Sequence, residues 1–178
     1  IQMITFESKS NKMKRSIFLL LSLVYFSLNS NAMDVNYQLS MSQPNSHYFE
    51  VEMEVADFKA MELVIKMPVW APGSYLIREF AKSVNLVKAY TFEGKELEVE
   101  KRDKNSWVIQ TKGVKNVKIT YQVYAFELSV RTSFLDDSHG YINGTSVFMY
   151  VEDNKDAKGY LKIVPHESFK KVATSLPN

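Results

Sequence analysis

Val117-Lys118-Ile119-Thr120-Tyr121-Gln122-Val123-Tyr124 decides the fold. Large apolar side chains hold the odd positions, and Lys118, Thr120 and Gln122 the even ones between them. A period of two sends the two sets to opposite faces of an extended chain, so this is a strand with one dry face and one wet face. The same pattern appears where Phe49, Val51, Met53 and Val55 alternate with Glu50, Glu52 and Glu54, and again where Leu63, Ile65 and Met67 alternate with Val64 and Lys66. Further strands are expected at Val84–Thr91, Trp107–Ile109, Leu128–Thr132, Ser146–Val151 and Tyr160–Val164. Phe92-Glu93-Gly94-Lys95 reads as a hairpin turn returning through Leu97 and Val99, Lys112-Gly113 as a second turn, and Asp153–Lys158 as a polar loop. Leu76–Ser83 is read as a short helical turn with Ile77, Phe80 and Ala81 on one side. Many short strands with turn residues between them predict an all-β fold, an antiparallel sandwich or saddle-like sheet. There is no internal repeat, no low-complexity tract and no Gly-rich phosphate loop.

The 178 residues suit one domain with an appendage, and a 46% hydrophobic, 13% aromatic composition supplies a core. A net charge of +2 with scattered lysines gives no nucleic-acid stripe. The absence of cysteine excludes disulfides, thiolate metal sites and cysteine nucleophiles. Met13-Lys14-Arg15, the apolar run Ile17–Leu28 and Ser30-Asn31-Ala32 form the basic, hydrophobic and small-residue parts of a secretory signal. The expected organisation is an upstream extension at 1–12, a helical signal peptide at 13–32 and a β domain at 33–178. The apolar run is short for a bilayer, so no stable membrane span is expected after cleavage, and the product is expected to be exported, to the periplasm or outside a bacterial cell. Ile1 in place of an initiator Met raises the expectation of a translated fragment.

Few residues announce chemistry. His47, His139 and His166 show no metal-ligand spacing. His166-Glu167-Ser168-Phe169-Lys170 starts like a zinc-peptidase helix but has a cationic lysine where the second histidine belongs. No serine sits in a Gly-x-Ser-x-Gly elbow, and Ser74 reads as capping its own loop. Asp136 and Asp137 before Gly140 read as a solvated turn, with acid/base chemistry beside His139 as the sharper alternative. Asn143-Gly144-Thr145 matches a glycosylation sequon and equally a tight turn. Trp70, Tyr75, Phe80, Tyr121 and Phe148 are expected in the core. In Trp70-Ala71-Pro72-Gly73-Ser74-Tyr75-Leu76-Ile77-Arg78, Pro72 and Gly73 break regular structure, and so aromatic a loop is expected to pack against something. Arg78 and Arg131 suit loop-holding hydrogen bonds, with a substrate role secondary.

The Trp70–Phe80 segment resembles the Trp-x-Pro-Gly-Ser-Tyr loop of the glycyl aminopeptidase family of zinc metallopeptidases. The likeness continues through Ala89-Tyr90, Asp103-Lys104, Tyr121–Ala125, Val130-Arg131-Thr132 and Asn143-Gly144-Thr145-Ser146 to Val172–Pro177. It spans about residues 34–178, the N-terminal β domain of those enzymes. By this resemblance Trp70, Pro72, Gly73, Ser74, Tyr75, Arg78 and Arg131 are scaffold or domain interface. Asn143, Gly144, Thr145 and Ser146 lie near the substrate cleft, where Asp136 or Asp137 helps anchor the amine of a peptide substrate. The family's zinc belongs to a following catalytic domain with a His-Glu-x-x-His helix. No position here matches those ligands, so no cofactor and no catalytic residue is assigned to this chain. The implied partner is that catalytic domain, and the rival reading is a stand-alone exported β-sandwich module that binds peptide or glycan.

Overall fold

The computed structural model describes residues 33–176. The expected extension and signal peptide at 1–32 lie outside the described residues. Twelve strands follow in order: β1 (Asp34–Ser40), β2 (Tyr48–Ala56), β3 (Glu62–Lys66), β4 (Val84–Thr91), β5 (Glu96–Leu97), β6 (Val99–Lys101), β7 (Ser106–Gln110), β8 (Val117–Tyr124), β9 (Phe134–Leu135), β10 (Gly140–Tyr141), β11 (Tyr150–Val151) and β12 (Gly159–Val164). The fold is all-β; among the described residues the only helical segments are three short 3₁₀ turns, and none is long and apolar enough to cross a membrane.

Six strands form one sheet in the order β12-β1-β2-β8-β4-β5, four form another in the order β11-β3-β7-β6, and β9 and β10 make a hairpin. The period of two acts as expected. In β2 and β8 alternate residues are buried, and the register sets Val51 opposite Tyr121 and Met53 opposite Ile119. The wet face of the same pair carries Glu52 and Glu54, both ion-paired with Lys118. Leu63, Ile65 and Ile109 of the four-stranded sheet fall in the same core cluster as Val51, Met53 and Ile119. The chain passes between the sheets at Glu98, where β5 ends and β6 begins, and the Glu98 carbonyl accepts a bond from the Gln110 amide.

Four local expectations need correction. Leu128–Thr132 is a run of turns, not a strand. The Thr132 hydroxyl donates to the Glu127 carbonyl at 3.0 Å and the Ser129 hydroxyl accepts from the Arg131 amide, so side-chain oxygens take backbone groups a ladder would use. Over Ser146–Val151 only Tyr150 and Val151 pair as strand. The preceding residues are held by two tyrosines instead: Tyr121 Oη donates to the Val147 carbonyl and accepts from the Met149 amide, both at 3.0 Å, while Tyr37 Oη donates to the Met149 carbonyl at 2.7 Å. The helical turn is confined to Phe80–Ser83; Phe80 and Ala81 are buried there, but Ile77 points outward. Finally, Trp70 and Tyr75 are exposed, whereas Phe80 and Tyr121 are buried and Phe148 packs edge-on against Tyr37.

One pairing is parallel. β12 runs beside β1 with Gly159 opposite Val35. A Cβ added at Gly159 would lie 2.7 Å from the Val35 carbonyl oxygen, closer than a backbone neighbour tolerates. Gly159→Ala is expected to cost about 1–3 kcal/mol by overpacking, with β12 amides losing hydrogen-exchange protection before those of β2 and β8. Uniform protection loss across the sheet would contradict this.

Candidate functional site

The Trp70 loop is braced by its own polar groups. Ala71-Pro72-Gly73-Ser74 forms a tight turn closed by a bond from the Ser74 amide to the Ala71 carbonyl, with Gly73 at φ 79°. Pro at the second position and a left-handed Gly at the third are what a type II turn requires. Trp70 Nε1 donates to the Ser74 carbonyl at 2.6 Å. Ser74 Oγ, nearly buried, accepts from the Leu76 amide and from Arg78 Nε and donates to the Leu76 carbonyl. The Arg78 amide donates to the Val69 carbonyl and shuts the loop at its base. This closure throws Tyr75, Leu76 and Ile77 outward: Tyr75 is fully exposed and Ile77 is 81% exposed. Ser74→Ala removes the hub while leaving the core intact. It is expected to make the 74–78 segment cleavable by protease in the folded chain, at a cost of about 1–2 kcal/mol; unchanged resistance would count against the bracing.

The second loop cluster is also self-satisfied. Asn143 Oδ1 accepts from the amide and hydroxyl of Thr145, capping the 3₁₀ turn Gly144–Ser146, and its Nδ2 donates to the Val130 carbonyl. The Asn143 amide donates to Ser133 Oγ, which lies 2.8 Å from Ser146 Oγ. Arg131 is exposed on the turn that this network fastens. Asp136 caps the β9–β10 hairpin by accepting from the Ser138 hydroxyl and from the amides of Ser138 and His139. The Ser138 hydroxyl, and then the His139 amide, hold its carboxyl below the usual carboxylate range. Asp137 beside it is exposed. The polar atoms of Asn143, Thr145 and Asp136 are thus largely spent on loop geometry.

Two cavities flank the Gly144–Ser146 turn. Ser146 lines a cleft of about 410 Å³ together with Arg78, Lys82, Tyr124, Phe126 and Ser133. Gly144 lines a larger open cavity of about 830 Å³ between Phe148, β12 and the C-terminal segment. Asp136 and Asp137 line neither. The structure therefore brings Arg78 to Ser146 and leaves the two aspartates apart. Among the described residues no three His, Cys, Asp or Glu side chains converge to hold a metal.

Residues 36–178 match the sequence profile of the peptidase M61 N-terminal domain. The chain belongs to the M61 peptidase family. An aminopeptidase N family protein of known structure from Idiomarina loihiensis is 32% identical and superposes with a TM-score of 0.70, over 75% of this chain and 22% of the other. The chain thus corresponds to less than a quarter of that relative's length. An M1 zinc metallopeptidase from Deinococcus radiodurans aligns over 75% of this chain and 32% of its own, at 9% identity and a TM-score of 0.39. No curated protein is detectably similar.

Within this M61 domain, sequence reasoning singled out Arg78 and Ser146 without placing them in one cleft. It missed Tyr124, Phe126, Lys82 and Ser133. The available signal was the pair of hydroxyl-rich steps, Thr132-Ser133 and Thr145-Ser146, which occur close together in the chain and meet in the fold.

Proposed function

We propose that this chain is the non-catalytic N-terminal domain of an exported glycyl-aminopeptidase-like zinc peptidase. It packs on the catalytic domain of the same polypeptide and forms one wall of the peptide cleft. The zinc and its chemistry belong to that other domain. The observation that carries the reading is the braced apolar crown. Tyr75, Leu76 and Ile77 stand out from the loop that runs into cleft residue Arg78, and Leu128, 83% exposed, and Val130 stand out from the chain between cleft residues Glu127 and Thr132. Large apolar side chains held out in water by a hydrogen-bonded loop mark a surface built for a partner. Asn143–Ser146 then lie behind the interface, setting the shape of the wall, and Asp136 and Asp137, which line neither cavity, meet a peptide amine only if the neighbouring domain brings it to the β9–β10 hairpin.

The test uses the Idiomarina loihiensis protein. Deleting its segment aligned with this chain is expected to lower glycyl-p-nitroanilide hydrolysis by at least about tenfold, since a mispositioned cleft wall loses that much in transition-state positioning. Inserting residues 36–178 is expected to restore it, and the same insert with Tyr75, Leu76 and Ile77 changed to Ser is expected not to. Full activity after the deletion would overturn the reading.

A further inference from the structure

We propose that the Arg78 cleft is a carboxylate subsite that takes the C-terminal end of a short peptide. Among the described residues the side chain of Arg78 makes one hydrogen bond, from Nε to Ser74 Oγ, which fixes one edge of the guanidinium. Neither Arg78 nor Lys82 belongs to any ion pair among those residues. Glu79, the acidic residue between them in the cleft lining, is solvent-exposed and turned towards Lys104 at 3.2 Å. The cleft lining thus carries two cations, Arg78 and Lys82, and two acids, the Lys104-paired Glu79 and Glu127, which has no ion-pair partner among the described residues. A planar guanidinium anchored along one edge presents its remaining donors in the fork that fits a carboxylate. Arg78 is half-buried, which weakens competition from water. The aromatic rings of Tyr124 and Phe126, each partly exposed, supply the apolar wall for a side chain, and about 410 Å³ suits a dipeptide.

Other features carry less. The larger cavity is walled by the C-terminal segment, and the ring stack His47–Phe126–Phe134–His139 joins loops without an opening of its own. The inference rests on the proposed function only in taking peptides as the ligands that reach this face.

The experiment is a titration of the purified ¹⁵N-labelled chain followed by two-dimensional NMR, with Gly-Leu, Gly-Leu amide and sodium acetate as probes. Gly-Leu is expected to shift the amides of Ser133 and Ser146 saturably, and the amide form to bind about tenfold more weakly because the charge-assisted pair is lost. Arg78→Lys is expected to weaken Gly-Leu by about tenfold as well, with spectral changes confined to the cleft and to the 74–78 loop that Arg78 Nε braces. The comparison of acid with amide stands on the unaltered chain if that variant does not fold. Equal binding of acid and amide, acetate binding as tightly as Gly-Leu, or no shift at all would each overturn the subsite. Binding here without rescue in the domain-replacement assay counts against the proposed function alone; rescue without binding counts against this subsite alone.

Discussion

Tyr121→Phe is expected to destabilise the domain by about 2–4 kcal/mol, read as a lowered urea midpoint with an unchanged slope. The ring would still fill its place in β8, so the loss is that of one oxygen atom. That oxygen serves the Val147 carbonyl and the Met149 amide at once, and both residues are fully buried. Removing it leaves a donor and an acceptor in the core with no water to replace it, and each costs about 1–3 kcal/mol. Tyr37→Phe is the control. It frees only the Met149 carbonyl, one backbone group rather than two, and is expected to cost about 1–2 kcal/mol. Equal small effects for the two variants would show that the clamp on residues 147–149 is not needed to hold the Gly144–Ser146 turn.

The second large effect is loss of stability in alkali. Burial raises the phenol of Tyr37 from the ordinary 10.0 to about 12, and burial pushes Tyr121 up further still. In both cases the folded state holds the neutral form. Below pH 10 the unfolded chain keeps these phenols neutral too, and the stability they allow is fully present. As the pH rises through 10 the unfolded tyrosines ionise while the folded ones do not, so stability falls until the folded value is passed. For Tyr37 the two units from 10.0 to about 12 amount to about 3 kcal/mol in all, with Tyr121 adding to it. Urea midpoints at about pH 9 and about pH 11 are expected to differ by a large part of this, and the difference is expected to shrink in Tyr121→Phe. A flat midpoint between those pH values would show that neither phenol is held neutral by folding.

Much of the fold was legible because alternation is a local signal. Each of Val117–Tyr124, Phe49–Val55 and Leu63–Met67 shows its buried face within a few residues. What was not legible depended on who supplies the hydrogen bonds. Leu128–Thr132 and Val147–Met149 have strand-like composition, but hydroxyls of Ser129 and Thr132 in one case, and of Tyr37 and Tyr121 in the other, satisfy the backbone without a neighbouring strand. The parallel pairing of β12 with β1 joins opposite ends of the domain and leaves no mark on either segment.

The candidate site divides along the same line. The Trp70 loop was visible from its residue types, because Pro72-Gly73 must turn and Ser74 must cap. Its direction was not. Aromatic and branched side chains look alike whether they fill a core or crown a surface, and here the Val69–Arg78 closure decides for the surface. The Arg78 cleft was hidden because its walls come from 78–83, 123–127, 132–133 and 146, which only the six-stranded sheet and its loops assemble.

Trp70 and Trp107 are the only tryptophans in the chain, one in the exposed crown and one buried against the core. Labelling with 5-fluorotryptophan therefore gives two fluorine resonances, one for each environment. Titration with the remainder of the Idiomarina loihiensis protein, folded and with the segment aligned with this chain removed, should shift or broaden the Trp70 signal saturably while leaving Trp107 in place. If both signals stay fixed at concentrations where that portion is folded, the crown is not a docking surface for the rest of an M61 peptidase.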